Sequence, residues 1–363
     1  MNSFEAFKDP ALCRALLERL KKEADTPYRF MEVCGTHTVS IFQSGLRSLL
    51  PQTITHVTGP GCPVCVTHES EVACFLELAA RDDIVLATFG DLMRVPGPKG
   101  KNLKTAQADG ARVEVVYSPV DALAVAAANP GRTTIFLGVG FETTAPAVAA
   151  TIRLAREQNL KNFRVLSFHK LVPPALAALV ADPDINIDAF ILPGHVSAII
   201  GAAPYGFLAE KHGLPAVVTG FEPLDILSAL LEITAMRASG RPAVVNAYTR
   251  VVAHDGNPVA RAVMDEVFTP VDALWRGLGT LPGSGLDIRE EFADFDALRL
   301  PGVSLPDAPP LAGCRCGEVL KGKMAPNECP LFDKACTPAT PVGPCMVSTE
   351  GGCAAYHKYR LEL

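Results

Sequence analysis

The feature that most constrains this chain is a repeated alternation, from about Arg29 to Asn246, of short β-branched or aromatic runs with apolar helical patterns. Each short run ends in glycine, proline or polar residues before the helical pattern begins. This alternation is typical of βαβ units, in which successive strands are parallel and helices cover the sheet. It predicts eight strands: Arg29–Val33, Thr53–Val57, Ile84–Thr88, Arg112–Tyr117, Thr133–Leu137, Phe163–Phe168, Ala189–Leu192 and Ala216–Thr219.

The 363 residues are enough for two or three domains. We expect two Rossmann-like α/β domains with parallel sheets, over residues 1–125 and 126–250, with their boundary near Pro119–Gly131. After Asn246 the alternation weakens, and the chain becomes rich in proline, glycine and cysteine. Residues 251–363 are therefore expected to form a small irregular domain that is organised by a metal site.

Charge and hydropathy exclude two classes of partner. The formal charge is −6, with acids and bases mixed along the chain, so no basic footprint for nucleic acid is present. The most apolar stretch, Ala189 to Ala209, is interrupted by proline and glycine and is not expected to span a membrane. The charged start of the chain resembles a surface helix capped by Asp9 before Pro10, and not a signal peptide. We expect a soluble, cytoplasmic protein.

Eleven cysteines in such a chain indicate metal binding or redox chemistry, because a reducing compartment disfavours structural disulfides. The strongest local motif is Cys62-Pro-Val-Cys65, whose two thiols can chelate one soft metal or close a small disulfide ring. If Glu69 to Ala80 is a helix, its amino end favours the thiolate form of the pair. Cys13 and Cys74 lie in apolar helical patterns and are expected to be packing residues.

Polar or reactive residues directly follow almost every predicted strand. In open α/β sheets ligands bind beyond the carboxyl ends of the strands, so this one-sided placement predicts a shared cleft. The motifs begin at Cys34, Gly59, Gly90, Gly140, His169 and Pro193.

Several of these residues also have ordinary structural explanations. Cys34 could be a packing residue, and the Thr-His-Thr run around His37 could cap a helix. His195 could be a satisfied buried imidazole, and Asp91 could pair with Arg94 across a loop. The segment containing Glu142 lacks the lysine and spacing of a phosphate-binding loop, so nucleotide binding is disfavoured.

Six cysteines lie within forty residues near the end of the chain, separated by one, twelve, six, eight and seven residues. Zinc sites usually show tight pairs of cysteines at both ends, whereas the later cysteines here are spaced as separate loop ligands. An iron–sulfur cluster held by four thiolates fits better. Zinc and a set of redox disulfides remain alternatives. The six are Cys314, Cys316, Cys329, Cys336, Cys345 and Cys353.

Long motifs in order along the chain resemble those of the HypD family of [NiFe]-hydrogenase maturation factors. The likeness extends from Phe30 to Tyr356. The motifs are Phe30-Met-Glu-Val-Cys-Gly-Thr-His-Thr38, Gly59-Pro-Gly-Cys-Pro-Val-Cys65, Pro193-Gly-His-Val-Ser197, Cys336-Thr-Pro338 and Pro341-Val-Gly-Pro-Cys-Met-Val-Ser-Thr-Glu-Gly-Gly-Cys353.

The resemblance implies that this chain is a scaffold on which the Fe(CN)2CO group is assembled. Low-spin ferrous iron with cyanide and CO is a soft centre that thiolates suit. The implied iron-handling residues are Cys34, Cys62 and Cys65, with His195, Asp91 and, as a weaker candidate, His37 nearby.

The resemblance also implies a cofactor and partners. The C-terminal domain of the family carries a [4Fe–4S] cluster in surroundings similar to ferredoxin:thioredoxin reductase. We assign Cys329, Cys336, Cys345 and Cys353 as its ligands, with Cys316 as the main competitor. The implied partners are a HypC-type chaperone, a HypE-type cyanide donor and, indirectly, the hydrogenase large subunit.

Two other functions stay open at this point. One is a thiol–disulfide oxidoreductase, in which a cluster delivers electrons to Cys62 and Cys65 and on to a protein substrate. The other is a ferredoxin-like electron carrier, which leaves the large α/β region without a role. On the favoured hypothesis the chain is a maturation scaffold with redox activity and not a conventional turnover enzyme.

Overall fold

The computed structural model describes residues 5–359 and contains two parallel sheets and an antiparallel hairpin. All eight predicted strands are present, with ends that differ by at most two residues from the prediction. A ninth short strand and the hairpin were not predicted. The strands are β1 Tyr28–Glu32, β2 Ile54–Thr58, β3 Ile84–Thr88, β4 Val113–Val115, β5 Thr133–Gly138, β6 Phe163–Ser167, β7 Ala189–Pro193, β8 Ala216–Thr219, β9 Val244–Asn246, β10 Phe268–Trp275 and β11 Gly279–Ile288.

The two sheets are interleaved along the chain. The five-stranded sheet has the order β2-β1-β7-β8-β9, and the four-stranded sheet has the order β4-β3-β5-β6; all neighbours within them are parallel. The chain leaves the first sheet after β2, builds the whole second sheet and returns at β7. Each sheet therefore takes strands from both sides of residue 125, so the strands do not follow the predicted boundary near Pro119–Gly131.

Helices connect the strands, as the alternation predicts. The first begins at Pro10, where the Asp9 carboxylate accepts hydrogen bonds from the backbone N–H groups of Ala11 and Leu12, as expected for the cap. The helix expected after Cys65 is also present. The α-helices are α1 Pro10–Glu23, α2 Gly35–Gln43, α3 Leu46–Leu49, α4 Pro63–Val66, α5 Glu69–Ala79, α6 Leu103–Ala108, α7 Asp121–Ala128, α8 Ala145–Glu157, α9 Val172–Val180, α10 Gly194–Ile200, α11 Phe207–His212, α12 Pro223–Ser239, α13 Pro258–Val267, α14 Cys316–Leu320, α15 Pro344–Val347 and α16 Gly352–Lys358.

The largest apolar core lies between the two sheets. It combines Val33 and Leu192 from the five-stranded sheet with Leu86 and Leu137 from the four-stranded sheet. The outer faces of the sheets have their own cores, one of which is formed largely with α1 and α12. Because the strands of parallel sheets are covered on both faces, most of their residues are buried.

The hairpin of β10 and β11 crosses over the four-stranded sheet, where Lys170 forms a bridge with Gly285. Between residues 300 and 359 the chain consists of turns, short helices and one 3₁₀ turn, Pro326–Glu328, which agrees with the irregular region expected from its composition. None of the helices within residues 5–359 is long and apolar enough to cross a membrane.

Candidate functional site

Cys34 and Cys62 meet at the carboxyl edge of the five-stranded sheet. Cys34 follows β1, and Gly61 and Cys62 follow the neighbouring strand β2. The backbone N–H of Gly35 donates a hydrogen bond to the Gly61 carbonyl over 2.9 Å. A Cβ on Gly61 would lie only 2.1 Å from the Cys34 nitrogen, so glycine is required for this approach. The predicted meeting of these two loops is therefore present in the fold.

Cys62 and Cys65 form a buried disulfide, with their Cα atoms 5.2 Å apart. Cys62 is the residue before the short helix α4, and its sulfur accepts a hydrogen bond from the backbone N–H of Cys65 over 3.2 Å. The helix expected to activate the thiols, α5, starts later, after its own cap His68. The helix amino terminus next to the two cysteines is therefore that of α4 and not that of α5. Helix α4 ends at Val66, and the backbone is extended at Thr67 before α5 begins.

The Cys34 thiol is buried among groups that disfavour its ionisation. Burial raises its pKa to about 12, and the nearby Glu350 carboxylate acts in the same direction. The Cys34 backbone N–H donates to the Glu32 carboxylate over 3.0 Å. Burial also raises the pKa of Glu32, to about 8. Since metals bind the thiolate, a cation at Cys34 must displace a firmly held proton.

His37 and His195 lie on either side of Phe221, which follows β8. The ring centroid of His37 is 4.6 Å from that of Phe221, and the His195 ring stacks on Phe221 at 4.1 Å. His37 is fully buried, contacts the Gly220 carbonyl oxygen through Nε2 over 2.9 Å, and has its pKa lowered to about 4 by burial. His195 is exposed at the surface, and the protein atoms around its ring lower its pKa too. Both imidazoles are therefore favoured in their neutral form at this edge.

Asp91 and Glu350 face each other near the same edge. Asp91 begins a 3₁₀ turn, Gly90–Arg94, and keeps part of its surface in solvent, while neighbouring protein atoms and then Glu350 raise its pKa. Glu350 accepts a hydrogen bond from the Thr36 hydroxyl over 2.9 Å. Its Cβ would be 2.4 Å from a Cβ on Gly35. The cysteine-rich end of the chain thus closes directly over the start of α2.

All six C-terminal cysteines line one pocket of about 350 Å³. Its walls are sulfur and apolar side chains, including Val319, Leu331 and Phe332. Thiolates are the ligands that iron–sulfur clusters use, so the donor set of this pocket fits such a cluster. No group of three or more His, Cys, Asp or Glu side chains in the described part of the chain is arranged to hold a single metal ion.

Two of these cysteines are much closer to each other than the rest. The sulfurs of Cys316 and Cys345 are 2.8 Å apart, and both residues are buried. The Cys345 thiol also interacts with Cys353, and its contacts with these two thiols, together with burial, raise its pKa. Cys345 therefore sits at the centre of the cysteine group, next to two other thiols.

The cysteine pocket and the Cys62–Cys65 disulfide are packed together. Helix α15, which carries Cys345, lies against α4, which carries Cys65. Cys62, Cys65, Cys316 and Cys345 all belong to the core between the sheets. The sequence alone could not predict that these two regions are in contact, because about 250 residues separate them along the chain.

Two buried ion pairs begin helix α5, directly after the disulfide. The Arg276 guanidinium contacts the Glu69 carboxylate, and the Lys170 ammonium contacts the Glu71 carboxylate. All four side chains are at most 10% exposed. Buried charges of this kind are tolerated when they are paired, and here they attach the hairpin and the four-stranded sheet to the segment that carries the disulfide.

Sequence reasoning missed Glu32, Phe221, Arg276 and Glu350. Glu32 and Glu350 lie inside motifs that carried the family resemblance, so their position close to reactive cysteines in the sequence was the available signal. For Phe221 and Arg276 the sequence contains no such signal, because each contacts residues that are distant along the chain. The predicted packing roles of Cys74 and Cys13 agree with their places in, and beside, apolar cores.

Comparison with known proteins agrees with the motifs. The family model HypD, described as the hydrogenase formation hypA family, matches residues 11–360. The hydrogenase maturation factor HypD of Rhodobacter capsulatus is 45% identical over 365 residues, covering 97% of both chains. The factor of the same name from Escherichia coli K12 is 42% identical over 371 residues, covering 99% of this chain and 98% of its own. That of Azotobacter vinelandii is 42% identical over 367 residues, with 99% and 97% covered. On this identity over nearly its whole length, the chain belongs to the HypD family of hydrogenase maturation factors.

Proposed function

We propose that this protein is a maturation scaffold that holds the iron of the Fe(CN)2CO group on Cys34 and the Cys62–Cys65 pair. The observation that carries the proposal is the meeting of Cys34 with the Cys62 loop, where Gly35 donates to Gly61 at the edge of the sheet. Ferrous iron with strong diatomic ligands is soft and prefers thiolates to other side chains. The iron group is the cargo of the site and not a resident cofactor.

Loading the iron requires chemistry at the sulfurs. The Cys62–Cys65 disulfide must first take up two electrons from an external reductant, such as a dithiol, and two protons, which gives two thiols. Each thiol that binds iron then releases its proton to solvent, and the Glu32 carboxyl helps to fix the position of Cys34 by accepting a hydrogen bond from its backbone N–H. The neutral imidazoles of His37 and His195 can orient ligands of the iron without adding positive charge.

The proposed partners are those that the family resemblance implies. His195 and Asp91 remain partly accessible at the sheet edge, which leaves a face for a HypC-type chaperone. A HypE-type protein supplies cyanide on this proposal, and the completed group passes to the hydrogenase large subunit. The chain itself acts as a scaffold with redox activity.

The cysteine pocket is proposed to hold a [4Fe–4S] cluster, which when bound supplies a one-electron store beside the two-electron disulfide. Two sets of ligands are in competition. Each thiolate binds a different iron of the cluster, so the four sulfurs must be well separated. Cys345 touches both Cys316 and Cys353. This contact favours Cys314, Cys329, Cys336 and Cys353 as ligands, and it leaves Cys316 with Cys345 as a thiol pair.

Infrared spectroscopy tests the scaffold. Protein purified without oxygen, together with its HypC-type partner, is expected to show bands of metal-bound cyanide and CO. Cys34→Ala and Cys62→Ala should lose these bands and keep the visible absorption of the cluster. Cys13→Ala, a cysteine of helix α1 far from either site, is the matched control and should keep both signals. Bands that survive in both Cys34→Ala and Cys62→Ala would rule out the assignment.

Iron and sulfide content distinguishes the two ligand sets. Cys314→Ser should lose most of the cluster, while Cys345→Ser should retain it, because only the first sulfur is a ligand on the favoured set. The reverse result would establish the set of Cys329, Cys336, Cys345 and Cys353 that the sequence suggested.

A thiol–disulfide oxidoreductase is the second candidate function. The packing of α15 against α4 favours it, since it brings the cysteine pocket next to the Cys62–Cys65 disulfide. A disulfide that titrates reversibly in protein without extra iron, and an absence of infrared bands in the wild type, would select this function over the scaffold.

A further inference from the structure

Arg276 is a buried cation between the disulfide segment and the cysteine pocket. It directly follows strand β10, and its backbone N–H donates to the Val66 carbonyl over 2.9 Å. Its Nε donates to the Thr67 carbonyl over 2.9 Å, and its Nη1 contacts Glu69. Its side chain is 3% exposed. These contacts hold one side of the guanidinium against the segment that follows Cys65.

The other side of the guanidinium has no hydrogen-bond partner. Nη2 of Arg276 is buried and unpaired among the described residues. An unpaired buried donor on a charged group is costly, so its place in the fold calls for an acceptor. The neighbouring Gly277 packs on Gly317, where an added Cβ would be 2.2 Å from the Gly317 Cα. Gly317 directly follows Cys316, so the backbone next to Arg276 packs against the segment that carries Cys316.

The guanidinium also lies within electrostatic range of the pocket, since Cys314 and Cys316 are among the groups with which it interacts. Glu69, its ion-pair partner, interacts with Cys316 more weakly. The positive end of the pair is therefore the end nearer to the pocket.

We propose that Arg276 is a positioning residue of the cluster site, which donates a hydrogen bond from Nη2 to a sulfur of that site and stabilises its reduced state. This inference rests on the proposed cluster. No bond between heavy atoms forms or breaks; the site takes up one electron from an external donor. The added negative charge is stabilised by the fixed guanidinium, which stays protonated and is poorly screened at this depth. Hydrogen bonds to sulfur and nearby charge are among the factors that set cluster potentials.

The same contacts connect the cluster site to the disulfide. Arg276 holds the carbonyls of Val66 and Thr67, the two residues after Cys65. Arg276 thus contacts the segment that carries the disulfide, while its neighbour Gly277 packs on Gly317 in the segment that carries Cys316. Lys170 offers an internal comparison: it is equally buried and pairs with Glu71 in the same first turn of α5, but it follows strand β6 and not strand β10, which leads into the Gly277 contact with Gly317.

The test is a redox titration of the full-length protein with dithionite, followed by the electron paramagnetic resonance signal of the reduced cluster. Arg276→Gln should shift the reduction equilibrium about tenfold or more toward the oxidised cluster, about 59 mV lower for one electron. Glu69→Gln should shift it in the opposite direction, because the guanidinium is then less compensated. The double variant should lie near the wild type. Lys170→Gln is the matched control, with a shift of less than about threefold.

Opposite shifts in Arg276→Gln and Glu69→Gln support the inference, since a general loosening of the fold would move both in one direction. Unchanged potentials in both, or shifts of the same sign, overturn it and leave the cluster proposal intact. A wild-type protein that binds no cluster after reconstitution overturns both. If Arg276→Gln does not fold, Arg276→Lys retains the charge without the fork, and Glu69→Gln alone still decides the sign.

Discussion

The two sulfur-bearing regions are built in different ways. Cys34 and Cys62 each follow a strand, and the parallel pairing of β1 with β2 brings them together at one edge. The six C-terminal cysteines lie instead on turns and on helices of at most seven residues. The first region is organised by backbone hydrogen bonds and apolar packing, whereas the second has little regular structure of its own.

This difference agrees with the two roles that we propose. A site at the edge of a sheet is stable before its metal arrives, which suits a scaffold that loads and releases its cargo. A pocket of thiols on irregular loops gains stability from the group that it binds, which suits a resident cluster. Glu350 joins the two, because it lies between Cys345 and Cys353 in sequence and contacts Thr36 beside Cys34.

The largest expected effect separates the stabilities of the two regions. Cys336→Ser removes a ligand that both candidate sets share. Hydrogen-exchange protection in residues 314–359 should then fall by more than about a hundredfold, or roughly 3 kcal/mol of local stability. Strands β3 and β5 should be unchanged, and so should both regions in Cys13→Ser. Equal losses in the strands and in the pocket would show that the regions are one cooperative unit.

The next effect tests the backbone approach at the sheet edge. Gly61→Ala places a Cβ 2.1 Å from the Cys34 nitrogen, where both partners are main chain and neither yields easily. The free energy of unfolding should fall by roughly 3 kcal/mol, at the upper end for overpacking. Gly131→Ala, at a turn where a Cβ meets no atom within 4 Å, should change it by less than about 0.5 kcal/mol. Chemical denaturation measures both, and a tolerated Gly61→Ala would contradict the close packing.

Acid should weaken the sheets through their buried histidines. Burial lowers the pKa of His169 to about 3, against about 6.5 in an unfolded chain. Below pH 6.5 the unfolded chain therefore binds a proton that the folded protein does not, so stability falls as the pH falls. Between pH 7 and pH 5 the free energy of unfolding should fall by about 2 kcal/mol less in His169→Asn than in the wild type. His254→Asn, at an exposed position, is the control, and its free energy of unfolding should change with pH as in the wild type. If His169→Asn shows the same pH dependence as the wild type, buried His169 does not contribute to the acid sensitivity.

The smallest effect concerns the contact of Arg47, in helix α3, with Tyr356, in helix α16 of the cysteine-rich region. The Arg47 guanidinium lies over the rings of Phe42 and Tyr356, with centroid distances of 5.3 and 4.5 Å, and donates to the Tyr356 hydroxyl over 3.0 Å. Arg47→Ala should cost about 0.5–1 kcal/mol, and the loss should appear as faster exchange in helix α16. Arg19→Ala removes an equally exposed arginine from α1 and should leave α16 unaffected. If the rate of hydrogen exchange in α16 is unchanged in both variants, the Arg47 contact does not stabilise this helix.

Particular residues show how far the sequence reaches. The alternation of strand and helix patterns predicted eight strands, because periodicity reports directly on which face of a local element is buried. It also placed Cys34, Cys62, His195 and Asp91 at strand ends. It did not predict the hairpin from Phe268 to Ile288, whose strands contain proline and glycine.

By itself the sequence determined the eight strands of the βαβ pattern and which residues stand at their carboxyl ends, since both depend on interactions between neighbours along the chain. Only the tertiary structure decided that β1 and β2 share a sheet with β7, that Cys345 touches Cys316, and that Arg276 lies between the disulfide and the pocket. Those contacts join residues that are between 29 and about 210 positions apart. Their partners are selected by the packing of a whole core, which no local pattern records.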